Sequence, residues 1–283
     1  MKFLNILLPL LLLMMLTTVA AGAEKELVRL AVDHAQKEQG QFFIVTLTGT
    51  PSEPELWFIE HRYRMFHQNQ NSWRSLVPVE NLIKPGCYRL LVRAGTNELQ
   101  IPVSVIVNNR PVQHIALDSS KAELKATEIE KSRVKAALHT ESQEKRFAGS
   151  FFRPASGRTS SLFGLKRSYN GAAIESYHKG VDIAAPQGTP VQSTAKGIVV
   201  LTGTVDEGFQ VHGNTVIIDH GQALISIYMH LSAISVHEGQ MVEAGEVIGN
   251  VGHTGISTAP HLHWGTYLYG ISVDPEMFEG KAF

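Results

Sequence analysis

From residue 151 to the C-terminus the chain carries no helix-period run of useful length, and its apolar residues come in short alternating stretches. Residues 181–184, 197–203, 215–219, 224–229 and 262–268 read as strands. Turn-rich segments such as Val236-His237-Glu238-Gly239 and Gly252-His253-Thr254-Gly255 lie between them. Strands this short, punctuated this often, predict a mostly antiparallel, all-β unit.

Within that pattern sits an unusual set of side chains. Alternate residues of an extended strand share a face. His261 and His263 therefore project together, with Leu262 and Trp264 turned away. The same rule puts His178 and Asp182 on one face, and Val181 and Ile183 towards apolar surroundings. Two imidazoles and a carboxylate are the ligand types of a catalytic zinc site, which has three protein ligands and one open position. An HxH or an HxxxD alone arises often by chance. Both together in strand patterns, with His230 nearby, point to a metal site. By alternation through residues 226–230, His230 is expected to share a face with Tyr228 and Ser226. Composition agrees: eight of the 13 histidines lie after residue 170.

The matching pieces Ser161-Leu162-Phe163-Gly164, His178-Lys179-Gly180-Val181-Asp182-Ile183-Ala184-Ala185-Pro186, Tyr228-Met229-His230-Leu231 and Gly255-Ile256-Ser257-Thr258-Ala259-Pro260-His261-Leu262-His263-Trp264 stand in this order. On them, residues 153–278 resemble the lysostaphin-type zinc endopeptidases, which cut the peptide part of peptidoglycan. The resemblance implies Zn²⁺ held by His178, Asp182 and His263, with His230 and His261 assisting catalysis. No motif position is missing, which matters because some relatives have lost ligands and act as regulators. The implied substrate is peptidoglycan peptide, cross-link or stem. Two alternatives stay open: a non-catalytic regulator that binds a cell-wall amidase, and a structural wall-binding protein. Wall-remodelling proteins are the implied partner class. The remaining histidines carry weaker expectations. His220, at a strand end, reads as a hydrogen-bonding turn residue, His212 and His253 could border the groove between loops that the resemblance implies, and His237 faces solvent. Tyr177 is expected near the oxyanion.

Upstream, residues 24–115 predict a small β-sandwich. Residues 41–48, 56–67, 87–93 and 99–107 are rich in β-branched and aromatic side chains. Gly49-Thr50-Pro51, Lys84-Pro85-Gly86 and Gly95-Thr96-Asn97 separate them. Pro102 suits an edge or a bulge. By order and pattern this segment resembles the immunoglobulin-like domain that precedes the catalytic domain in some relatives. His61 and His67, beside Arg62 and Arg64, read as solvated strand residues.

Residues 116–146 read as a helical connector to a peptidase domain over 147–283. Ser120-Lys121-Ala122-Glu123 is a capping-box pattern, and no Gly or Pro occurs from 121 to 146. Its apolar positions (Leu124, Ile129, Val134, Ala137, Leu138) are sparse. That suits a helix lying over the domain junction or a mobile charged linker. A fragment from about Arg146 onward is expected to fold without the rest.

Residues 1–23 read as a secretory signal: Lys2, an apolar run over 6–16, and Ala21-Gly22-Ala23. The run is short for a membrane span of roughly 20 residues, so the exported chain is expected without stable membrane insertion; an uncleaved anchor is the alternative. No cysteine follows it, which rules out a lipoprotein anchor there. Periplasm or cell envelope is the expected location. A net charge of -1 gives no basic field for nucleic acid. Cys87 is the only cysteine, so neither an internal disulfide nor a cysteine metal cluster forms.

Overall fold

A computed structural model describes residues 27–174 and 176–283, so the predicted secretory signal lies outside the described residues. The described chain is mostly β. In the N-terminal part, Arg29–Val32, Phe42–Thr48, Ser72–Pro78 and Phe66–Asn69 form one sheet in that order. A second sheet runs Gln36–Glu38, Asn97–Ile106, Gly86–Ala94, Glu55–Phe58, His61–Arg64. Phe43, Val45 and Val77 from the first meet Leu56, Leu90 and Val103 from the second in one apolar core. The run read over 56–67 is three strands. Ile59 takes a left-handed φ of 58° and closes a hairpin, and Phe66 then joins the other sheet. Pro102 pairs with Arg89, where the strand has a neighbour on one side only. His61 and His67 are exposed.

The C-terminal part is built on one antiparallel sheet. Its strands are β1 (Arg158–Ser161), β2 (Val181–Ala184), β3 (Gly197–Gly203), β4 (Asn214–Gly221), β5 (Leu224–Leu231), β6 (Met241–Val242) and β7 (His261–Leu268). The order is β1-β2-β7-β5-β4-β3-β6, and Ile271–Val273 pairs at the end of β7. Alternation divides the side chains as the pattern requires. Val181, Ile183, Tyr228, Leu262 and Trp264 point into one core, which Val191 and Ile248 complete from a smaller sheet. Ile217, Ile225, Ile227 and Tyr267 occupy the opposite face.

The connector folds back onto that opposite face. It forms α1 (Ser119–Ala122) and α2 (Glu128–Leu138), not one helix over 121–146. The expected capping box is not made at Ser120: Asp118 is the N-cap of α1 and its side chain caps nothing. Thr127 caps α2 by accepting from the Glu130 N–H. Few as they are, the apolar residues of α2 converge: Val134, Ala137 and Leu138 are buried against Leu201, Phe209 and Ile225. Two further contacts tie this segment down. Arg146, with a tenth of its side chain exposed, pairs with buried Asp219 at 2.9 Å, and Ser142 also binds that carboxylate. The N-terminal part is joined by Phe42 and Leu76, packed with Phe147, Phe151, Leu224 and Phe278.

Candidate metal centre and catalytic site

Asp182 on β2 lies directly opposite His263 on β7, and Ala184 opposite His261, so Asp182, His263 and His261 share the face away from Trp264. His178 precedes β2 in a short loop that must pass close over β7. Only glycine fits at position 180. A Cβ there would stand 2.4 Å from the Trp264 carbonyl oxygen and 2.7 Å from His263 Nε2.

Three donor atoms meet. His178 Nε2 is 2.9 Å from Asp182 Oδ1 and 3.0 Å from His263 Nδ1, and His263 Nδ1 is 2.9 Å from the same Asp182 oxygen. His178 Nδ1 donates to the Leu162 carbonyl at 2.8 Å, with the Ser161 hydroxyl at 3.1 Å. That bond fixes the tautomer with the Nε2 lone pair facing Asp182 and His263. Burial lowers the pKa of both imidazoles, of His263 to about 4, so both are neutral near pH 7. Burial alone would raise the Asp182 carboxyl, but its bonds with His178 and His263 hold it well below the usual range. Arg167 takes the other Asp182 oxygen at 3.2 Å. Lone pairs from three directions with too few protons to separate them fit a cation and little else. Among the described residues this is the one cluster able to hold a metal ion.

Two more histidines face the cluster with the same tautomer logic. His261 Nδ1 donates to the Ala259 carbonyl at 2.8 Å, and its Nε2 is 3.7 Å from Asp182 Oδ1. His230 Nδ1 donates to the Thr254 carbonyl at 2.9 Å. The His230 ring centroid lies 4.9 Å from that of His261 and 6.2 Å from that of His263. Burial, then the neighbouring His261 and His263, keep His230 neutral, with a pKa well below the ordinary value.

The expected face of His230 is corrected here. Tyr228 pairs with Trp264 in the core, whereas Met229 pairs with His263. Strict alternation would send His230 into the core with Tyr228. A left-handed φ of 63° at His230 breaks the alternation and turns the imidazole to the cluster. This conformation is uncommon without glycine and persists only where neighbours fix it.

A cavity of about 480 Å³ opens beside His230 and His263, lined also by Arg167, Tyr169, Val211 and Met229. A smaller recess reaches Asp182 and His261 and is walled by Gln113 and Ile115. Those two belong to Val112–Ile115, which pairs in parallel with Lys166–Tyr169. The segment before α1 therefore builds part of the groove.

Several side chains were not visible as functional in the sequence. Arg167 and Gln113 stand outside the His/Asp motifs, and no spacing rule marks them. Tyr177 does not reach the cavity: its hydroxyl bonds Ser272 at 3.0 Å and its ring packs on Phe163. His220 makes hydrogen bonds at a strand end as expected, but it belongs to the strand and not to the turn. It is fully buried in β4, with Nδ1 donating to the Lys196 carbonyl and Nε2 meeting the Ser226 hydroxyl. His212 and His253 bond Glu130 and Ser257, and neither lines the cavity; His237 is exposed.

The chain is similar to known proteins. Residues 176–275 match peptidase family M23. The DD-carboxypeptidase/endopeptidase Mpg of Neisseria meningitidis serogroup B is 47% identical over 98 residues, 35% of this chain and 22% of that protein. The peptidoglycan DD-endopeptidase ShyA of Vibrio cholerae is 39% identical over 117 residues, 41% of this chain and 26% of that protein. The chain thus spans about a quarter of the length of these relatives. A crystal structure of a Pseudomonas aeruginosa protein assigned to peptidase M23 superposes with a TM-score of 0.64 at 30% identity, covering 84% of this chain and 93% of that one.

Proposed function

The chain belongs to peptidase family M23, and on that premise we propose that it is a zinc-dependent endopeptidase of the cell envelope that hydrolyses peptide bonds in peptidoglycan. The observation that carries the reading is the convergence of three ligand atoms, His178 Nε2, Asp182 Oδ1 and His263 Nδ1, beside two further imidazoles. Two neutral nitrogens and one carboxylate are the donor set of an open catalytic zinc site. When bound, zinc supplies a Lewis acid that polarises the scissile carbonyl and makes water acidic enough to ionise near neutral pH.

The chain's own groups have separate tasks. Leu162 and Ser161 orient His178, and Arg167 holds Asp182 so that one oxygen faces the donors; such outer contacts fix ligand geometry. His230 and His261 each keep Nδ1–H on a backbone carbonyl, so each offers Nε2 to the substrate. One Nε2 takes the proton of the attacking water and passes it to the departing amine. The other, after taking a second proton from solvent at Nε2, donates it as a hydrogen bond to the oxyanion and returns it to solvent when the products leave. The apolar lining from Met229 and Val211, with Tyr169 beside Arg167, suits an extended peptide with a carboxylate near the Arg167 end.

The reading extends to location. The relatives' names describe enzymes of peptidoglycan, and the first 23 residues have the form of a secretory signal. Among the described residues no helix is long and apolar enough to cross a membrane. Digestion of purified sacculi by the isolated protein, with mass spectrometry of the released fragments, tests the proposal. Peptide-bond scission that stops with a chelator and returns with zinc supports it. Intact sacculi with zinc-loaded protein contradict it.

A further inference from the structure

Glu130 is a fully buried carboxylate on α2, outside the stretch that matches the family. It has no Lys or Arg partner among its described contacts. Instead it accepts from the backbone N–H groups of Gln210 (3.1 Å), Val211 (3.0 Å) and His212 (2.7 Å), and from His212 Nδ1 (2.6 Å). A carboxylate with this many charge-assisted bonds is an anchor, and leaving those donors unpaired in a buried place is costly.

What it anchors is the loop that grips His230. The His212 carbonyl accepts the His230 backbone N–H at 3.1 Å, and the Val211 carbonyl accepts the Ile256 N–H at 2.9 Å. Asn214 N–H donates to Thr254 Oγ1 at 3.0 Å, and the Thr254 carbonyl accepts His230 Nδ1–H at 2.9 Å. Both the backbone and the ring of His230 are therefore held by groups that the 210–214 loop sets in place. The left-handed φ of His230 needs that restraint.

We infer that Glu130 is a positioning residue for His230, acting through the 210–214 loop, so that the connector helix completes the catalytic site. The inference rests on His230 assisting the reaction. The conservative variant Glu130→Gln keeps the volume but replaces two acceptor oxygens by one oxygen and an amide group. Leu138→Ala is the control: it weakens the packing of the same helix and removes none of the helix's hydrogen bonds to the loop, all of which come from Glu130.

The test uses the full zinc-loaded chain and muropeptide dimers prepared from sacculi. Glu130→Gln is expected to lower kcat by about 10- to 100-fold, the range for a small misplacement of a catalytic group. KM should change by less than about twofold and zinc content should not change. In the His230→Ala background, Glu130→Gln should have no further effect on kcat. By NMR, the His230 Nδ1–H signal should shift or broaden in Glu130→Gln and stay in place in Leu138→Ala, which loses thermal stability alone. Glu130→Asp retracts the charge and gives the same ordering should Glu130→Gln not fold. Additive losses in the double variant, or an unmoved His230 proton, would overturn the inference. Full activity of His230→Ala would instead remove the catalytic role of His230, and the proton signal would still decide whether Glu130 positions the ring.

Discussion

Replacing Gly180 with Ala adds a single methyl group between two of the proposed metal donors, His178 and Asp182, and the ring of the third, His263. The new Cβ would meet the Trp264 carbonyl oxygen at 2.4 Å, His263 Nε2 at 2.7 Å and His263 Cε1 at 2.9 Å. All three are shorter than real Cβ contacts allow. Trp264 cannot retreat, because it pairs with Val181 on one side and Tyr228 on the other. The strain must move the 178–182 segment or the His263 ring. Overpacking of this kind costs about 1–3 kcal/mol. In a chain of this size that corresponds to a fall of roughly 2–10 °C in Tm. Because the parts that can yield are the donors themselves, zinc affinity should also fall, by up to about 100-fold at about 1.4 kcal/mol per decade. Thermal unfolding of the metal-free protein and competition with a chromogenic chelator measure the two effects. A variant with unchanged Tm and unchanged zinc affinity would refute the close-approach argument. A lower Tm with unchanged affinity would show that the strain is relieved away from the donors.

Two other predictions follow from buried contacts. His220 is kept neutral by burial, with its pKa lowered from 6.5 to about 4. Its contribution to stability is complete above pH 6.5 and is lost as pH falls towards 4, by about 3 kcal/mol in all. Urea unfolding of the wild type and His220→Gln between pH 7.5 and 4 should show a shallower loss in the variant, and parallel curves would contradict this. A fragment beginning at residue 147 removes α2 from Leu201, Phe209 and Ile225 and leaves buried Asp219 without Arg146. It should be much less stable than one beginning near residue 112, since breaking a buried ion pair alone costs about 3–5 kcal/mol; equal melting temperatures would show the connector to be dispensable.

Much of the C-terminal sheet was legible because alternation is a local property. The runs at 181–184, 197–203 and 262–268 coincide with strands, and Leu262 and Trp264 turn to the core while His261 and His263 turn away. The face of His230 was not legible, because one left-handed residue reverses the pattern and nothing in a histidine announces it. The connector misled for a related reason. Sparse apolar positions suggested a helix outside any core, yet Val134, Ala137 and Leu138 bury together, and Glu130 is sunk among backbone amides that no sequence pattern displays. One signal was available: Thr127-Glu128-Ile129-Glu130 is itself a capping pattern and marks the true start of α2. Arg167 and Gln113 reach the site through pairing of Val112–Ile115 with Lys166–Tyr169, a long-range contact that composition does not encode.

The central claim is that three residues hold the metal and His230 acts on the reaction. Metal content by plasma emission, measured beside turnover of muropeptide dimers for His263→Ala and His230→Ala, tests it most directly. His263→Ala should lose zinc and, with it, activity. His230→Ala should keep close to one zinc per chain while the rate falls by roughly 10² to 10⁴, the usual worth of a positioned acid or base. Loss of zinc from His230→Ala with retention in His263→Ala would contradict the assignment, whatever happens to the rate.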